Sequence, residues 1–338
     1  MKIRILHWLL LLSVLFSGCG GKENEPQTPP REQSKAPELM ERLWTETSPA
    51  QPDETRTALF ATIQEWADAC PNTIFKKYLT ASDAVAGTYE KYEDIYAAYR
   101  HALDRVLDEV KTTTPESGSA VIWLLYNMGY VVKTPSGCFG IDLCHRHAEL
   151  LAPYLDFLCV THNHQDHYNK ELIAAMQTAG KPVLSNYLAA GPYTSTATAD
   201  YTIGTFRIHT FITNHNNGST NIPVTVFQVT CGSDTGNFVV MHSGDSNFRP
   251  EQFDVTADID VYIPRYAPNE LTENDVIGKV FSPKYVLLSH ILELTHADPS
   301  DSRWTLAQGL VRALLLDCDR TWMPFWGEKL IWKNDKLE

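Results

Sequence analysis

Positive charge is scarce in this chain: 28 lysines and arginines stand against 41 aspartates and glutamates, a formal net charge of −13. That balance argues against a nucleic-acid partner, because such binding rests on neutralising many phosphates. An anionic small substrate stays open, since a bound cation can dominate its local field. No Gly-x-Ser-x-Gly elbow and no phosphate-cradling glycine loop occurs, so the signatures of serine hydrolysis and of nucleotide binding are missing. Cysteine is sparse. Beyond Cys19 there are Cys70, Cys138, Cys144, Cys159, Cys231 and Cys318, with no zinc-type paired spacing. Most sit in apolar, strand-like runs and read as buried free thiols. No short fixed-period repeat is visible. What is present is ordinary globular material: 43% hydrophobic and 20% charged residues over 338 positions, enough for one large domain or one large and one small.

At the start, Lys2 and Arg4 precede "ILHWLLLLSVLF", which stops at "SGC". A basic start, a short apolar stretch and small residues describe a secretory signal over residues 1–18. The stretch is short for a membrane span of about 20 residues. "FSGC" resembles a bacterial lipobox, in which Cys19 would carry lipid, although Phe16 stands where leucine is usual. The alternative is an ordinary signal cut nearby, leaving a soluble periplasmic protein. The tail "GGKENEPQTPPREQSKAP" has almost nothing to bury, so residues 19–37 read as a flexible tether. Its acidic, lysine-containing start resembles the surface-export tags of some Gram-negative lipoproteins. The expectation is a cell-envelope protein held to the membrane by a lipid anchor.

Residues 38–117 read as helix. Leu59, Ile63 and Trp66 recur at helical spacing after Asp53, a natural N-cap. A longer helix is expected from Ser82 to Lys111, with Tyr92, Tyr96, Tyr99, Leu103, Val106 and Val110 on one face. That tyrosine stripe reads as a packing face, with substrate contact as the alternative. "TTTPESGS" breaks the pattern. From residue 118 to 338 strands dominate: "AVIWLLYNMGYVVKT", "CFGIDLC", "DFLCV", "TFRIHTFI", "PVTVFQVTC", "NFVVMHSGD", "DIDVYIP" and "KYVLLSH". Helices recur between strand groups, as in "NKELIAAMQTAG" and "DSRWTLAQGLVRALLLD". The order fits an α/β fold of two sheets with helices outside, an αββα sandwich.

The chemistry concentrates in "THNHQDHYN", directly after the apolar run "DFLCV". In an extended segment alternate side chains share a side, so His162, His164 and Asp166 can converge while His167 turns away. Imidazole with carboxylate suits zinc and similar divalent ions, whereas calcium prefers oxygen. A lone His-x-His pair would say little; His-x-His-x-Asp-His at the mouth of a buried strand says much more.

This pattern resembles the metallo-β-lactamase superfamily, whose motif "THxHxDH" follows a strand. The resemblance implies three further ligands in order, and the chain offers His215 in "TNHNNG", Asp245 in "VVMHSGDSNF" and His290 in "YVLLSH". By the same resemblance His162, His164 and His215 would hold one metal, Asp166, His167 and His290 a second, with Asp245 bridging. The implied cofactor is a pair of divalent ions, zinc first, about 3.5–4 Å apart and sharing a water that attacks the substrate. Asp166 would position or deprotonate that water. Asp142, closing "NMGYVVKTPSGCFGID", matches the carboxylate that supports the metal loop from behind. The ending "WMPFWGEKLIW" is similar to the closing strand of the branch related to ascorbate-phosphate lactonase and N-acyl-phosphatidylethanolamine phospholipase. His242 reads as packing or as support for the ligands, and His296 as a proton donor, a substrate contact or a solvated loop histidine. His145, His147 and His209 read as structural or exposed. Arg265 and Tyr266 lie where members of the family place substrate-contacting loops. The implied function is an exported dinuclear hydrolase acting on a phosphodiester, lactone or amide, with a small molecule or lipid as substrate. The alternatives are a non-catalytic scaffold lipoprotein that keeps the fold, and an iron-dependent redox member.

Overall fold

In the computed structural model, which describes residues 31–215, 222–266, 271, 276–297 and 303–338, the run "SAVIWLLY" is strand β1, Ser119–Tyr126, buried along its whole length. A strand apolar on both faces must be covered on both. Ala120, Ile122 and Leu124 face one core with Tyr130, Phe139, Phe157, Phe227 and Val240. Val121, Trp123 and Leu125 face the other, with the helices before them in sequence. The period of two therefore divides β1 between a sheet-on-sheet core and a helix-on-sheet core.

Around β1 the first sheet contains β2 (Gly129–Thr134), β3 (Gly137–Ile141), β4 (Phe157–Cys159) and β5 (Val183–Leu184) on one side. On the other lie β13 (Lys329–Lys333) and β14 (Lys336–Leu337), in the order β14-β13-β1-β2-β3-β4-β5. The closing segment "WMPFWGEKLIW" thus supplies β13, antiparallel to β1 with Ile122 opposite Leu330. The second sheet runs β12-β11-β10-β9-β8-β7-β6. Its strands are β6 (Ala199–Ile203), β7 (Phe206–His215), β8 (Ile222–Thr230), β9 (Val239–His242), β10 (Val261–Ile263), β11 (Tyr285–Leu287) and β12 (Thr321–Trp322). The sheets face each other, helices cover the outside, and the architecture is the expected α/β sandwich.

Five helices precede β1: α1 (Ala36–Glu46), α2 (Glu54–Asp68), α3 (Asn72–Thr80), α4 (Asp83–Tyr92) and α5 (Asp94–Thr112). They begin inside the stretch read as tether, with a proline in the first turn of α1, where its missing N–H costs nothing. The single helix expected from Ser82 to Lys111 is instead two, broken at Glu93, which is extended (φ −114°, ψ 121°). An unbroken helix would separate Tyr89 and Tyr96 by about 10 Å of rise. The break lets their rings meet at 5.0 Å, beside Tyr78. Tyr96 and Tyr99 are buried in this aromatic cluster and Tyr92 is half-buried, so the stripe packs. From Gln33 to Glu338 the helices and sheets form one unit. A buried bidentate pair fastens it: Arg56 of α2 donates to both Glu328 oxygens at 2.6 and 2.7 Å, and to Met323 O at 3.0 Å. Cys19 and the signal segment lie outside the described residues. Among the described residues no helix is long and apolar enough to cross a membrane.

Candidate metal centre

Four strands, β4 of the first sheet and β7, β9 and β11 of the second, which run the same way as one another, deliver the residues of interest to one place. Beyond β4 the chain enters Thr161–Asn169, a turn closed by His167 N–H donating to His164 O at 2.9 Å. Asn169 ends it by capping the next helix, α6 (Lys170–Thr178), through a 2.6 Å bond from Leu172 N–H. His215 ends β7, Asp245 follows β9, and His290 follows β11. Gly244 allows the turn into Asp245. Its φ is +48°, and a Cβ there would fall 2.6 Å from Thr161 Oγ1, so only glycine fits both demands.

The seven residues singled out in the sequence converge. One group of donor atoms comes from His162, His164, His215 and Asp245, another from Asp166, His167, Asp245 and His290, each within 4.8 Å of one another. Asp245 belongs to both, and its two oxygens divide between them. Oδ2 lies 3.0 Å from His215 Nε2 and 3.9 Å from His162 Nε2. Oδ1 lies 3.4 Å from His167 Nε2 and 3.5 Å from His290 Nε2. Asp166 Oδ2 closes the second group, 3.1 Å from His290 Nε2 and 3.4 Å from His167 Nε2.

Asp142 stands behind the loop, fully buried and with left-handed backbone (φ 49°). One oxygen accepts Thr161 N–H at 2.8 Å; the other accepts Thr161 O–H at 2.7 Å and His167 Nδ1 at 2.8 Å. With Nδ1 of His167 so engaged, Nε2 is turned toward the group. His162 is fixed likewise, its Nδ1 3.0 Å from Thr161 Oγ1. His242 plays a different part. Its Nε2 donates to Met128 O at 2.9 Å and its Nδ1 accepts Gly244 N–H at 3.1 Å. Both nitrogens are spent on backbone, so it shapes the Asp245 turn and is not available as a ligand.

The electrostatics separate the two groups. Burial holds the His162 and His164 imidazoles below their ordinary range, so they are neutral and offer lone pairs. Burial pushes His167 and His290 the same way, but the facing carboxylates, Asp245 first, outweigh it and raise both. Burial works against the Asp166 and Asp245 carboxylates too. The imidazoles, His167 first for Asp166 and His290 first for Asp245, reverse it and hold both well below the usual range.

A cation fits this donor set. His162 Nε2, His167 Nε2 and Asp245 Oδ1 are buried without a hydrogen-bond partner, each aimed into the cluster, and leaving such groups unpaired is costly. The imidazole and carboxylate donors are those of zinc or a similar transition ion.

The other sequence candidates fall into place around this centre. His296 lies at its edge, stacked on His290 with ring centroids 5.6 Å apart. Arg265 is close by, donating to Ser246 O at 3.1 Å. Tyr266 is buried against Trp304 and is a core residue. His145 stacks on Tyr99 at 3.7 Å, His147 pairs with Arg146, and His209 bonds Asp200 on the surface, all in structural roles. Glu293 was not singled out in sequence, yet its carboxylate lies with Asp166 and His296 in a third group of close donors. Its only signal was a carboxylate embedded among leucines in "HILELTH". Asn127, whose amide donates to Asp166 O at 3.0 Å, gave no signal beyond its place in a turn.

No curated protein matches the chain. Among solved structures, the metallo hydrolase Igni18 from Ignicoccus hospitalis KIN4/I is similar at 16% identity, over 64% of this chain and 99% of its own, with a TM-score of 0.41. A possible metal-dependent hydrolase from Veillonella parvula DSM 2008 aligns at 10% identity over 62% of this chain and 97% of its own, TM-score 0.42. CmlA, a diiron beta-hydroxylase from Streptomyces venezuelae, aligns at 12% identity over 65% of this chain and 55% of its own, TM-score 0.44. The chain thus spans about half the length of CmlA. Residues 118–267, which carry six of the seven converging side chains, match the family model described as "Beta-lactamase superfamily domain". Over residues 118–267 the chain is thus similar to the β-lactamase superfamily domain, and its two-sheet sandwich bears the His/Asp cluster at one end.

Proposed function

We propose that this protein is an exported hydrolase with a dinuclear metal centre. The observation that carries the reading is the division of Asp245, with Oδ2 toward one group of imidazoles and Oδ1 toward the other, the arrangement of a carboxylate shared by two cations. His162, His164 and His215 would hold one ion, Asp166, His167 and His290 the other, and zinc suits the donors best. Such a pair, when bound, polarises a carbonyl or phosphoryl oxygen and makes water acidic enough to act at neutral pH.

The chain's own residues supply the rest. Asp166, held ionised, would accept a hydrogen bond from an attacking water and so position it. His296 is about a quarter exposed and sits at the rim, where it can meet the substrate or return a proton to the leaving group. Beside the centre, a cleft of about 580 Å³ runs between the α3–α4 turn and the metal loop, lined by Leu79, Thr80, Arg146, Gln165, Tyr168 and Thr295. We assign to it the non-reacting part of a phosphodiester, lactone or amide substrate. The chain's negative charge favours a small molecule or lipid over RNA. Cys19, in its lipobox-like setting, would tether the enzyme to the envelope membrane, and Cys19→Ala would then release it from the membrane fraction.

The test is metal analysis by mass spectrometry of protein purified without chelators, with activity measured on model phosphodiesters, lactones and amides. Two ions per chain and turnover of one class, both impaired by His164→Ala, are expected. Metal-free protein at neutral pH would refute the reading, and two irons with no hydrolysis would replace it with redox chemistry.

A further inference from the structure

Glu293 is a fully buried carboxylate that the hydrolytic reading leaves without a part. Among the described residues its hydrogen bonds come from three neutral donors, and the His296 imidazole stands 3.7 Å from Oε2. Tyr126 O–H donates to Oε1 at 2.9 Å, while Thr295 O–H and His296 N–H donate to Oε2 at 2.6 and 2.9 Å. Tyr126 also accepts Leu294 N–H at 2.7 Å. The pair therefore satisfies the backbone N–H groups of Leu294 and His296, where no regular element does so.

That segment needs holding. His290 and Leu292 both have left-handed backbone, φ 61° and 60°, which non-glycine residues keep only where their surroundings impose it. The same segment carries two imidazoles to the second donor group: His290, 3.1 Å from Asp166 Oδ2, and His296, stacked on it. The anchoring end is rigid. Tyr126 ends β1 and is packed by Tyr99 of α5 at 4.9 Å and by Trp326 at 5.0 Å. Its neighbour Asn127 holds Asp166 from the opposite side, through Asp166 O at 3.0 Å. One hairpin corner thus grips both Asp166 and the segment that brings His290 to it.

We propose that Tyr126 and Glu293 form a buried brace that positions His290 and His296 at the second donor group, so that the helical layer behind β1 helps set the geometry of the metal centre. This rests on the two-metal reading above. Both are positioning residues: they act through the backbone of 290–296 and touch no reacting atom. A buried carboxylate serves here because each of its oxygens accepts along the direction its donor demands. An amide of the same shape gives up half of that capacity.

Tyr126→Phe and Glu293→Gln each remove one function with little change of volume. The first readout needs no metal: amide hydrogen exchange at Leu294 and His296, expected to quicken about tenfold or more in both variants, as supporting bonds of this kind allow. The second is Co(II) titration followed by visible absorption. The equivalent taken by Asp166, His167 and His290 is expected to bind about tenfold more weakly or worse, and the one taken by His162, His164 and His215 as in wild type. A folded variant with wild-type exchange and two wild-type Co(II) equivalents would overturn the proposal. Equal weakening of both equivalents would also overturn it, since that marks a merely structural role. If both variants fail to fold, Thr295→Val, which removes one donor to Glu293, is read by the same two measurements. Wild-type protein that binds no Co(II) would instead refute the two-metal reading, and amide exchange would still decide for or against the brace.

Discussion

Replacing Asp142 by asparagine removes one charge and almost no volume from a site with no solvent to compensate. The carboxylate makes three bonds, to Thr161 N–H, Thr161 O–H and His167 Nδ1. An asparagine oxygen can keep the first. Its NH₂ then faces Thr161 Oγ1, which can rotate and accept, and His167 Nδ1, which must give up its proton to accept. The imidazole proton moves to Nε2, the nitrogen turned toward the second donor group, and the lone pair a cation would need is lost. The charge-assisted bond is worth about 1.5–3 kcal/mol, or about 10- to 150-fold in affinity at 1.4 kcal/mol per decade. Supporting residues of metal ligands typically account for about 10- to 100-fold, so the two arguments agree. The assay is competition against a zinc chelator at neutral pH, with circular dichroism to confirm the fold. One equivalent should weaken by that factor while the one held by His162, His164 and His215 is little changed. Unaltered affinity at both sites would refute the tautomer argument.

Two further outcomes follow from the same structure. Arg56→Ala strands the buried Glu328 carboxylate, and breaking a buried pair from one side costs about 3–5 kcal/mol. Urea unfolding should show that loss, with the Arg56→Ala/Glu328→Ala double variant recovering part of it; a change below about 1 kcal/mol would mean the helical layer is not fastened there. Metal uptake should depend on pH differently at the two groups. His167 and His290 are raised above the ordinary histidine range in the metal-free chain, so near neutrality they hold protons that a cation must displace. His162 and His164 are lowered and stay neutral further into acid. As pH falls through neutrality the equivalent held by His167 and His290 should therefore weaken first, with measurable proton release on binding. Simultaneous loss of both equivalents in calorimetry at stepped pH would contradict that order.

The sandwich was legible because its strands are written as short apolar runs between turns. In β1 the seven residues Ala120–Tyr126 are divided between two cores, and both faces are apolar for that reason. The ligand set was legible because imidazoles and aspartates recur at strand ends in a known order, and the turns around them need only local geometry to aim the side chains. The break at Glu93 was not legible, since Tyr89 and Tyr96 would share a helix face whether or not the helix is interrupted. The burial of Tyr266 was not legible either, since its position after β10 is compatible with a loop, while Trp304, far along the chain, buries it.

By itself, then, the sequence determined which side chains would meet in the donor cluster: His162, His164, Asp166, His167, His215, Asp245 and His290 are defined by residue type and by their place after apolar strands. Only the tertiary structure decided how they are held. That Asp245 turns one oxygen to each group, that Asp142 sets the proton of His167, and that Tyr126 reaches Glu293 across 167 positions depend on packing between distant strands. Hydrogen bonds of that range leave no periodic trace in the chain, because each is a single contact made once the sheets have closed.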